Sequence, residues 1–122
     1  MALYRCMSGS GGGDGSITVG VEKKVGTITI GGTTYDRYVK VVDCGAFPST
    51  ATPLSVALGE TYVGVLSLEG MIGGASGYAL PLPYIESNGS IALYFQSGNI
   101  IATPSKTYSG YTQTLVTVEY YR

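Results

Sequence analysis

The sequence predicts an all-β protein: an antiparallel β-sandwich or jelly-roll-like single domain that follows a flexible Gly-rich N-terminal leader. Three observations lead to this prediction. Short runs that alternate apolar and polar residues recur every ~8–12 residues, and no window sustains a 3.6-residue period. The 122 residues include 19 glycines, which suit many turns and few helices. The length fits one domain with one core.

The chain divides into a leader, residues 1–16, and a sandwich domain, residues 17–122. The leader contains SGSGGGDGS, in which glycine and serine offer little to pack, so a flexible linker is expected. A phosphate-binding loop is the alternative, but no strand precedes the run and no Gly-Lys-Ser/Thr follows it. The leader also has no apolar stretch typical of a signal peptide.

The alternation places the strands in order along the domain. SITVGV, residues 16–21, reads as a half-buried strand, and residues 26–44 read as two strands joined by a tight turn at Gly31-Gly32. Residues 53–60 are the best helical candidate, with one or two turns at most. Further strands are predicted at 60–70, 90–96, 99–104 and 113–122, with a turn at Ser97-Gly98.

The period of two also assigns side chains to the two faces of a strand. The strand that ends at Cys44 has on one face Tyr35, Arg37, Val39, Val41 and Asp43, and on the other Tyr38, Lys40, Val42 and Cys44. The strand over 60–70 has on one face Tyr62, Leu66 and Leu68, and on the other Val63, Val65 and Glu69. The last strand has on one face Thr114, Val116, Val118 and Tyr120.

Asn88-Gly89-Ser90 matches a glycosylation sequon and also a hairpin turn before the strand over 90–96. Because no secretory signal is present, the turn is the favoured interpretation.

Charge is scarce and balanced. Lys and Arg total 7, Asp and Glu total 8, and charged residues make up 12% of the chain, about half the usual ~25%. No basic patch for nucleic acid is expected at a pI of about 5.2. The longest apolar region is interrupted by Glu69, Pro81 and Pro83, so no membrane insertion is expected. The low charge indicates either a poorly charged monomer or a surface covered by sister subunits, and a homo-oligomer is favoured.

No catalytic residues, metal ligands or cofactor are predicted. The chain has no histidine, and its two cysteines cannot supply a four-ligand zinc site. A pair of carboxylates could act on a glycosidic bond, but solvated strand-end carboxylates are the favoured interpretation, and the protein is expected not to be an enzyme. The acids concerned are Asp36, Asp43, Glu60, Glu69, Glu86 and Glu119.

Cys44, in the stretch VVDCGAFPST, has three interpretations. A nucleophile needs a nearby base, usually histidine, and none exists. A disulfide with Cys6 would anchor the leader to the sheet. The favoured interpretation is a small, partly buried apolar residue, with both thiols free.

Eleven tyrosines are present and no tryptophan. Tyrosine combines an apolar ring with a polar tip, which suits sugar faces and protein interfaces. Ordinary packing at the rim of the core is the alternative, and for the group as a whole both interpretations stay open. The candidate ligand-binding residues, in or beside turns, are Tyr78, Tyr84, Tyr108 and Tyr111.

Six short segments, in order, resemble the C-terminal domains of bacteriophage tail-fibre and receptor-binding proteins. The first two lie in VEKKVGTITIGGTTYDRYVKVVDCGAFPS, which is similar to the family pattern EKxVGTW, a tight turn, and YRKVVDxGALPN. LSLEGM, LPYI and GNIIATP follow, and SGYTQTLVTVEYYR is similar to the family's SAYTAYVTLEYTK. The tryptophan after VGT is absent, and VALG stands where the family often has VAHG.

The resemblance covers residues 22–122 and implies a phage or prophage tail-associated domain, made in the host cytoplasm and located in the virion tail. It implies a non-catalytic antiparallel β module that forms homotrimers, contacts other tail proteins and binds host-surface saccharides. One alternative is a purely structural virion module that contacts only other virion proteins. A less favoured alternative is a bacterial carbohydrate-binding or carbohydrate-active protein.

Overall fold

The computed structural model describes residues 16–74 and 77–122, and within these ranges the chain forms nine β-strands and no helix. The strands are β1 (Lys23–Ile30), β2 (Thr33–Gly45), β3 (Leu54–Ala57), β4 (Gly64–Gly74), β5 (Ala79–Leu82), β6 (Tyr84–Glu86), β7 (Gly89–Gln96), β8 (Asn99–Pro104) and β9 (Tyr111–Tyr121). The predicted leader, except Ser16, and Cys6 lie outside the described residues.

Two antiparallel sheets pack face to face, which confirms the predicted β-sandwich. The five-stranded sheet has the order β1-β2-β9-β4-β5, and the four-stranded sheet has the order β3-β8-β7-β6. β9 lies between β2 and β4, so the last strand of the chain is the central strand of the larger sheet. The chain crosses to the smaller sheet after β2, returns after β3, and crosses again between β5 and β6.

The core lies between the sheets and consists of two clusters. The first cluster contains Val42, Cys44, Leu58, Ile100, Val116, Val118 and Tyr120. The second cluster contains Phe47, Ile72, Leu82, Ile91, Ala102 and Tyr108. The predicted alternation in β2 and β9 is confirmed. These strands are neighbours in the larger sheet, and Val42 and Cys44 of β2 lie on the same inner face as Val116 and Val118 of β9.

Two tight turns are confirmed where glycine pairs or a Ser-Gly pair predicted them. Gly31 and Gly32 have φ of 58° and 85°, and Ser97 and Gly98 have φ of 52° and 83°. Positive φ at both central residues is the geometry of a type I′ turn, whose twist matches that of the flanking strands. The hairpin predicted near Asn88 is also present, with its two-residue turn at 87–88.

The predicted strand over 16–21 is wrong. The segment turns at Val19–Gly20, and residues 16–22 contain no strand. Gly20 has φ of 84°, which bends the chain so that its amide donates to the carbonyl of Val41 at 2.7 Å. Alternation of apolar residues was the signal, but Val19 and Val21 are exposed because the bend carries both of them away from the core.

The helical candidate at 53–60 is also wrong, because its centre forms strand β3. Leu54 and Val56 point into the core and Ser55 and Ala57 point outward, so the segment follows a period of two. Pairing with β8 satisfies the backbone in the strand form, and this long-range partner is not visible in the local sequence.

The faces predicted for the strand over 60–70 are partly wrong because β4 begins at Gly64 and contains a β-bulge between Val65 and Ser67. The extra residue, Leu66, is exposed, while Val65 and Leu68 both pack against the first cluster. A bulge inserts one residue and so exchanges the faces on either side of it.

Cys44 is a buried free thiol at the end of β2. Burial, and secondarily the adjacent Asp43 carboxylate, raise the pKa of the Cys44 thiol to about 11, so it is protonated at neutral pH. The side chain packs in the first cluster, which agrees with the interpretation as a small apolar residue.

We expect Cys44→Ala to lower the free energy of unfolding by about 1 kcal/mol, because a single buried sulfur atom is lost from the core. Cys44→Ser should cost slightly more, since the hydroxyl enters an apolar site. Urea denaturation followed by circular dichroism measures both. A loss of ligand binding by either variant while it stays folded would contradict this role.

Candidate binding site at the tyrosine end

The strand directions bring four connections to one end of the sandwich. They are residues 46–53, between β2 and β3; the described residues 77–78, between β4 and β5; the turn 87–88; and residues 105–110, between β8 and β9. We call this end the tyrosine end. The second cluster lies directly beneath these connections, so the loops rest on a packed core.

All four tyrosines selected from the sequence lie at or beside this end. Tyr84 and Tyr111 are half-buried and pack against the second cluster, and Tyr108 belongs to that cluster with only 6% of the residue exposed. Tyr78 is 71% exposed. The four residues therefore differ in accessibility. The ring of Tyr78 is accessible to a ligand, and the rings of Tyr84 and Tyr111 are partly accessible. Tyr108 is buried and is part of the core beneath the loops.

Tyr108 anchors the loop 105–110 to the sandwich. Its ring meets that of Tyr84 edge to face, with centroids 6.2 Å apart and an interplanar angle of 86°. Lys106 Nζ lies 5.2 Å from the centroid of the Tyr108 ring, a cation–π contact. The Tyr108 hydroxyl donates to Glu86 Oε2 at 2.8 Å. These contacts fix the loop relative to β6.

Gly89 leaves room for this arrangement. A Cβ at residue 89 would lie 2.6 Å from Tyr108 Oη and 2.8 Å from Lys106 Cε, closer than real side-chain contacts allow. The side chains of Tyr108 and Lys106 therefore occupy the space above the backbone at the start of β7. The β6–β7 hairpin, with its turn at 87–88 and Gly89 as the first residue of β7, is therefore also the place where the loop 105–110 docks.

Three polar side chains at the rim form a connected group. Lys106 Nζ lies 3.2 Å from Glu86 Oε2 and donates to Asn88 Oδ1 at 3.3 Å. The hydrogen bond from Tyr108, together with Lys106, holds the pKa of Glu86 below its usual value of 4.5. Burial, and secondarily the Glu86 carboxylate, raise the pKa of Tyr108 to about 12. At neutral pH Glu86 is therefore an acceptor and Tyr108 a donor.

Backbone bonds hold the remaining loops in place. Ser105 and Ser90 exchange two bonds of 2.8 Å, from the Ser105 amide to the Ser90 carbonyl and from the Ser90 amide to Ser105 Oγ. The Phe47 amide donates to the Tyr111 carbonyl at 3.1 Å, which ties the loop 46–53 to the start of β9. Fixed loops lose little freedom when a ligand binds.

Exposed hydroxyls lie in two of the connections at the tyrosine end, 46–53 and 105–110. Each hydroxyl can donate one hydrogen bond and accept others, so the surface can match the hydroxyls of a polar, uncharged ligand. They belong to Ser49, Thr50, Thr52, Ser105, Thr107 and Ser109.

At the opposite end of the sandwich, the polar side chains form hydrogen bonds with one another. Arg122 donates to both carboxylate oxygens of Glu22 at 2.6 Å and lies 4.1 Å from the centroid of the Tyr38 ring. Tyr120 also donates to Glu22. The bond from Arg122 holds the pKa of Glu22 below its usual value, and burial followed by Glu22 raises the pKa of Tyr120. Because these side chains use their hydrogen-bonding groups on one another, fewer donors and acceptors remain for a ligand at this end.

The carboxylates considered for catalysis are mostly engaged with cations. Ion pairs in residues 16–74 and 77–122 engage ten of the thirteen charged side chains found there. The pairs are Lys24–Asp36, Arg37–Glu119, Lys40–Glu60, Lys106–Glu86 and Arg122–Glu22. In the described part of the chain no three His, Cys, Asp or Glu side chains come together as metal ligands.

Glu86, Lys106 and Asn88 were missed as site residues by the sequence analysis. Their relevance depends on the loop 105–110 folding back over the β6–β7 turn, a contact between residues about 20 positions apart. In the sequence, Asn88-Gly89 indicated a turn in this region, but nothing there indicated the contact with the loop 105–110.

Among the described residues no helix has the length and apolar character required to cross a membrane. The fold and the site together define an antiparallel β-sandwich with a tyrosine- and hydroxyl-rich end. No family model, curated protein or solved structure matches the chain.

Proposed function

We propose that the protein is a non-catalytic component of a bacteriophage or prophage tail that attaches to saccharides on the bacterial surface through the tyrosine end. Two lines of argument support the proposal. The first is the ordered resemblance to tail-fibre and receptor-binding domains. The second is the tyrosine end itself, and in particular the exposed ring of Tyr78 at the same end of the sandwich as two loops rich in exposed hydroxyls.

The proposed mode of binding follows from the chemistry of a sugar. The C–H face of a pyranose ring is apolar and packs against an aromatic ring, which Tyr78 supplies. The hydroxyls of the sugar exchange hydrogen bonds with the serines and threonines of loops 46–53 and 105–110. Lys106 and Asn88 add donors in fixed positions at the rim.

The charge distribution also favours an uncharged polar ligand. Because most charged side chains of the described residues are paired, the field beyond the surface is weak and gives little attraction for strongly charged ligands. A single shallow sugar site binds weakly. Several copies in one assembly would strengthen attachment, because linked sites raise the effective concentration.

We expect Tyr78→Ala to weaken binding to a bacterial surface saccharide about tenfold, which corresponds to ~1.4 kcal/mol. The reason is that the substitution removes an exposed ring and leaves the second cluster intact. An array of bacterial surface glycans identifies a ligand for the unmodified chain, and titration calorimetry then compares the variants.

Tyr62→Ala is the matched control, because Tyr62 is a partly exposed tyrosine in the connection between β3 and β4, at the opposite end. It should leave binding unchanged. Silence on the array at all concentrations would count against saccharide binding and favour the purely structural virion module. Turnover of peptidoglycan or a cell-wall polysaccharide would instead establish an enzyme.

A further inference from the structure

In the part of the chain that the structure describes, the outer face of the four-stranded sheet carries no charged side chain. The alternation in β3, β6, β7 and β8 directs outward Ser55, Ala57, Ile85, Ser90, Ala92, Tyr94, Gln96, Asn99, Ile101 and Thr103. Two apolar or aromatic members of this set stand out from the surface, since Ile85 is 84% exposed and Tyr94 is 42% exposed. Solvated protein surfaces usually contain ~25–35% charged residues.

The outer face of the five-stranded sheet is different. It carries the exposed Asp43 at the end of β2 and Glu69 of β4, and also Arg37, whose Nη1 lies 3.3 Å from Oε2 of the buried Glu119. The lack of charge is therefore a property of one face and is not a simple consequence of the low charge of the whole chain.

We infer that the outer face of the four-stranded sheet is the surface through which copies of this chain associate. Near a rotation axis each residue meets its own copies, so a charged residue there would face a like charge. Hydroxyls and carboxamides avoid this conflict, because each is both donor and acceptor and can bond to its own copy. The polar members of this face, such as Gln96 and Asn99, are all of that kind.

The shape of the face agrees with a second copy as the occupant. A hollow of ≈ 290 Å³ lies at the edge of this face, where the three-residue β6 begins beside the longer β7, and its lining includes Pro83, Ala92 and Leu93. Ile85 borders the same hollow and is the most exposed large apolar residue of the described chain. A projecting Ile85 and a neighbouring hollow on one surface are suited to reciprocal insertion between two copies.

The size of the face sets the expected strength. Four strands about 4.8 Å apart and β7 and β8, about 20 Å long, give a plan area of roughly 400 Å². A standard interface buries about 800 Å² per partner, so this face is about half the standard size and association through it is expected to be weak. The inference extends the proposed multi-copy assembly and does not depend on the ligand of the tyrosine end.

Tyr94→Lys and Met71→Lys test the inference as a matched pair. Both residues are 42% exposed, but Met71 lies on the outer face of the five-stranded sheet. Analytical ultracentrifugation of the full chain from about 1 to 200 µM measures weak association of this kind. We expect the unmodified chain and Met71→Lys to reach two or three times 12.7 kDa, and Tyr94→Lys to associate at least tenfold more weakly.

Circular dichroism confirms that each variant is folded, and Ile85→Lys provides a second test at a position that the core does not use. A 12.7 kDa species for the unmodified chain throughout the range would overturn the inference. Equal weakening by Met71→Lys, or association by Tyr94→Lys and Ile85→Lys as strong as that of the unmodified chain, would overturn it too. The Tyr78-dependent saccharide affinity of the monomeric variant is measured separately, so the two proposals can fail independently.

Discussion

Replacing Tyr108 with alanine is expected to lower the free energy of unfolding by about 3–4 kcal/mol. The ring is buried in the second cluster, and large-to-small aromatic substitutions in a core cost about that much. The variant also loses the edge-to-face contact with Tyr84 and the cation–π contact with Lys106. Urea denaturation followed by circular dichroism gives the change directly.

Tyr108→Phe separates the contribution of the ring to stability from that of the hydroxyl. It removes only the bond to Glu86, which keeps Lys106 as a partner, so the cost should be about 1 kcal/mol. Equal stabilities for the alanine and phenylalanine variants would contradict the role of the ring as the anchor of the loop 105–110. Because the loop carries hydroxyls of the proposed site, Tyr108→Ala should also abolish saccharide binding while Tyr108→Phe retains it.

Replacing Lys40 with methionine is expected to cost about 2–3 kcal/mol. Lys40 lies on the inner face of β2 and is buried, and its Nζ donates to the Leu58 carbonyl at 2.7 Å and to Glu60 Oε2 at 3.0 Å. Methionine has a similar length and no donor, so it leaves a buried carbonyl and a carboxylate without their partner.

The control for Lys40→Met is Lys24→Met. Lys24 forms an ion pair with Asp36 at 3.1 Å, in which both side chains are well exposed, at 55% and 43%. Exposed pairs contribute ~0–1 kcal/mol, so this variant should be close to the unmodified chain in stability. A cost for Lys40→Met as small as that for Lys24→Met would show that the lysine does not stabilise the connection between β3 and β4.

The parts of the fold that sequence predicts best are those in which local pattern and long-range pairing agree. In β2 and β9, apolar residues such as Val42 and Val116 recur at every second position, and both strands lie inside the larger sheet. The turn at Gly31-Gly32 is equally local, because its glycines adopt positive φ without a tertiary partner.

The errors arise where a distant contact decides the conformation. Residues 54–57 become a strand because β8 lies beside them, and the bulge at Leu66 lets β4 keep both Val65 and Leu68 in the core. Strand β5 was missed because its four residues include a proline and show no clear alternation.

The candidate site was predicted as a set of tyrosines without a geometry. The turn positions of Tyr78 and Tyr108 are visible in the sequence, but their opposite environments are not. Tyr108 is buried because Gly89, on a different hairpin, leaves space for it, and Lys106 and Glu86 complete the contact. A contact between two loops of this kind follows from the packing of the sheets and cannot be inferred from either loop alone.

The most direct test of the proposed function is an NMR titration of the ¹⁵N-labelled chain with a panel of bacterial surface oligosaccharides. We expect amide shifts that saturate with ligand and are confined to residues 46–53, 77–78, 87–88 and 105–110, with Tyr78 among the largest. Tyr78→Ala should remove these shifts at the same ligand concentration. Shifts centred on the end that contains Glu22 and Arg122, or on the outer face of the four-stranded sheet, would contradict the assignment of saccharide binding to the tyrosine end.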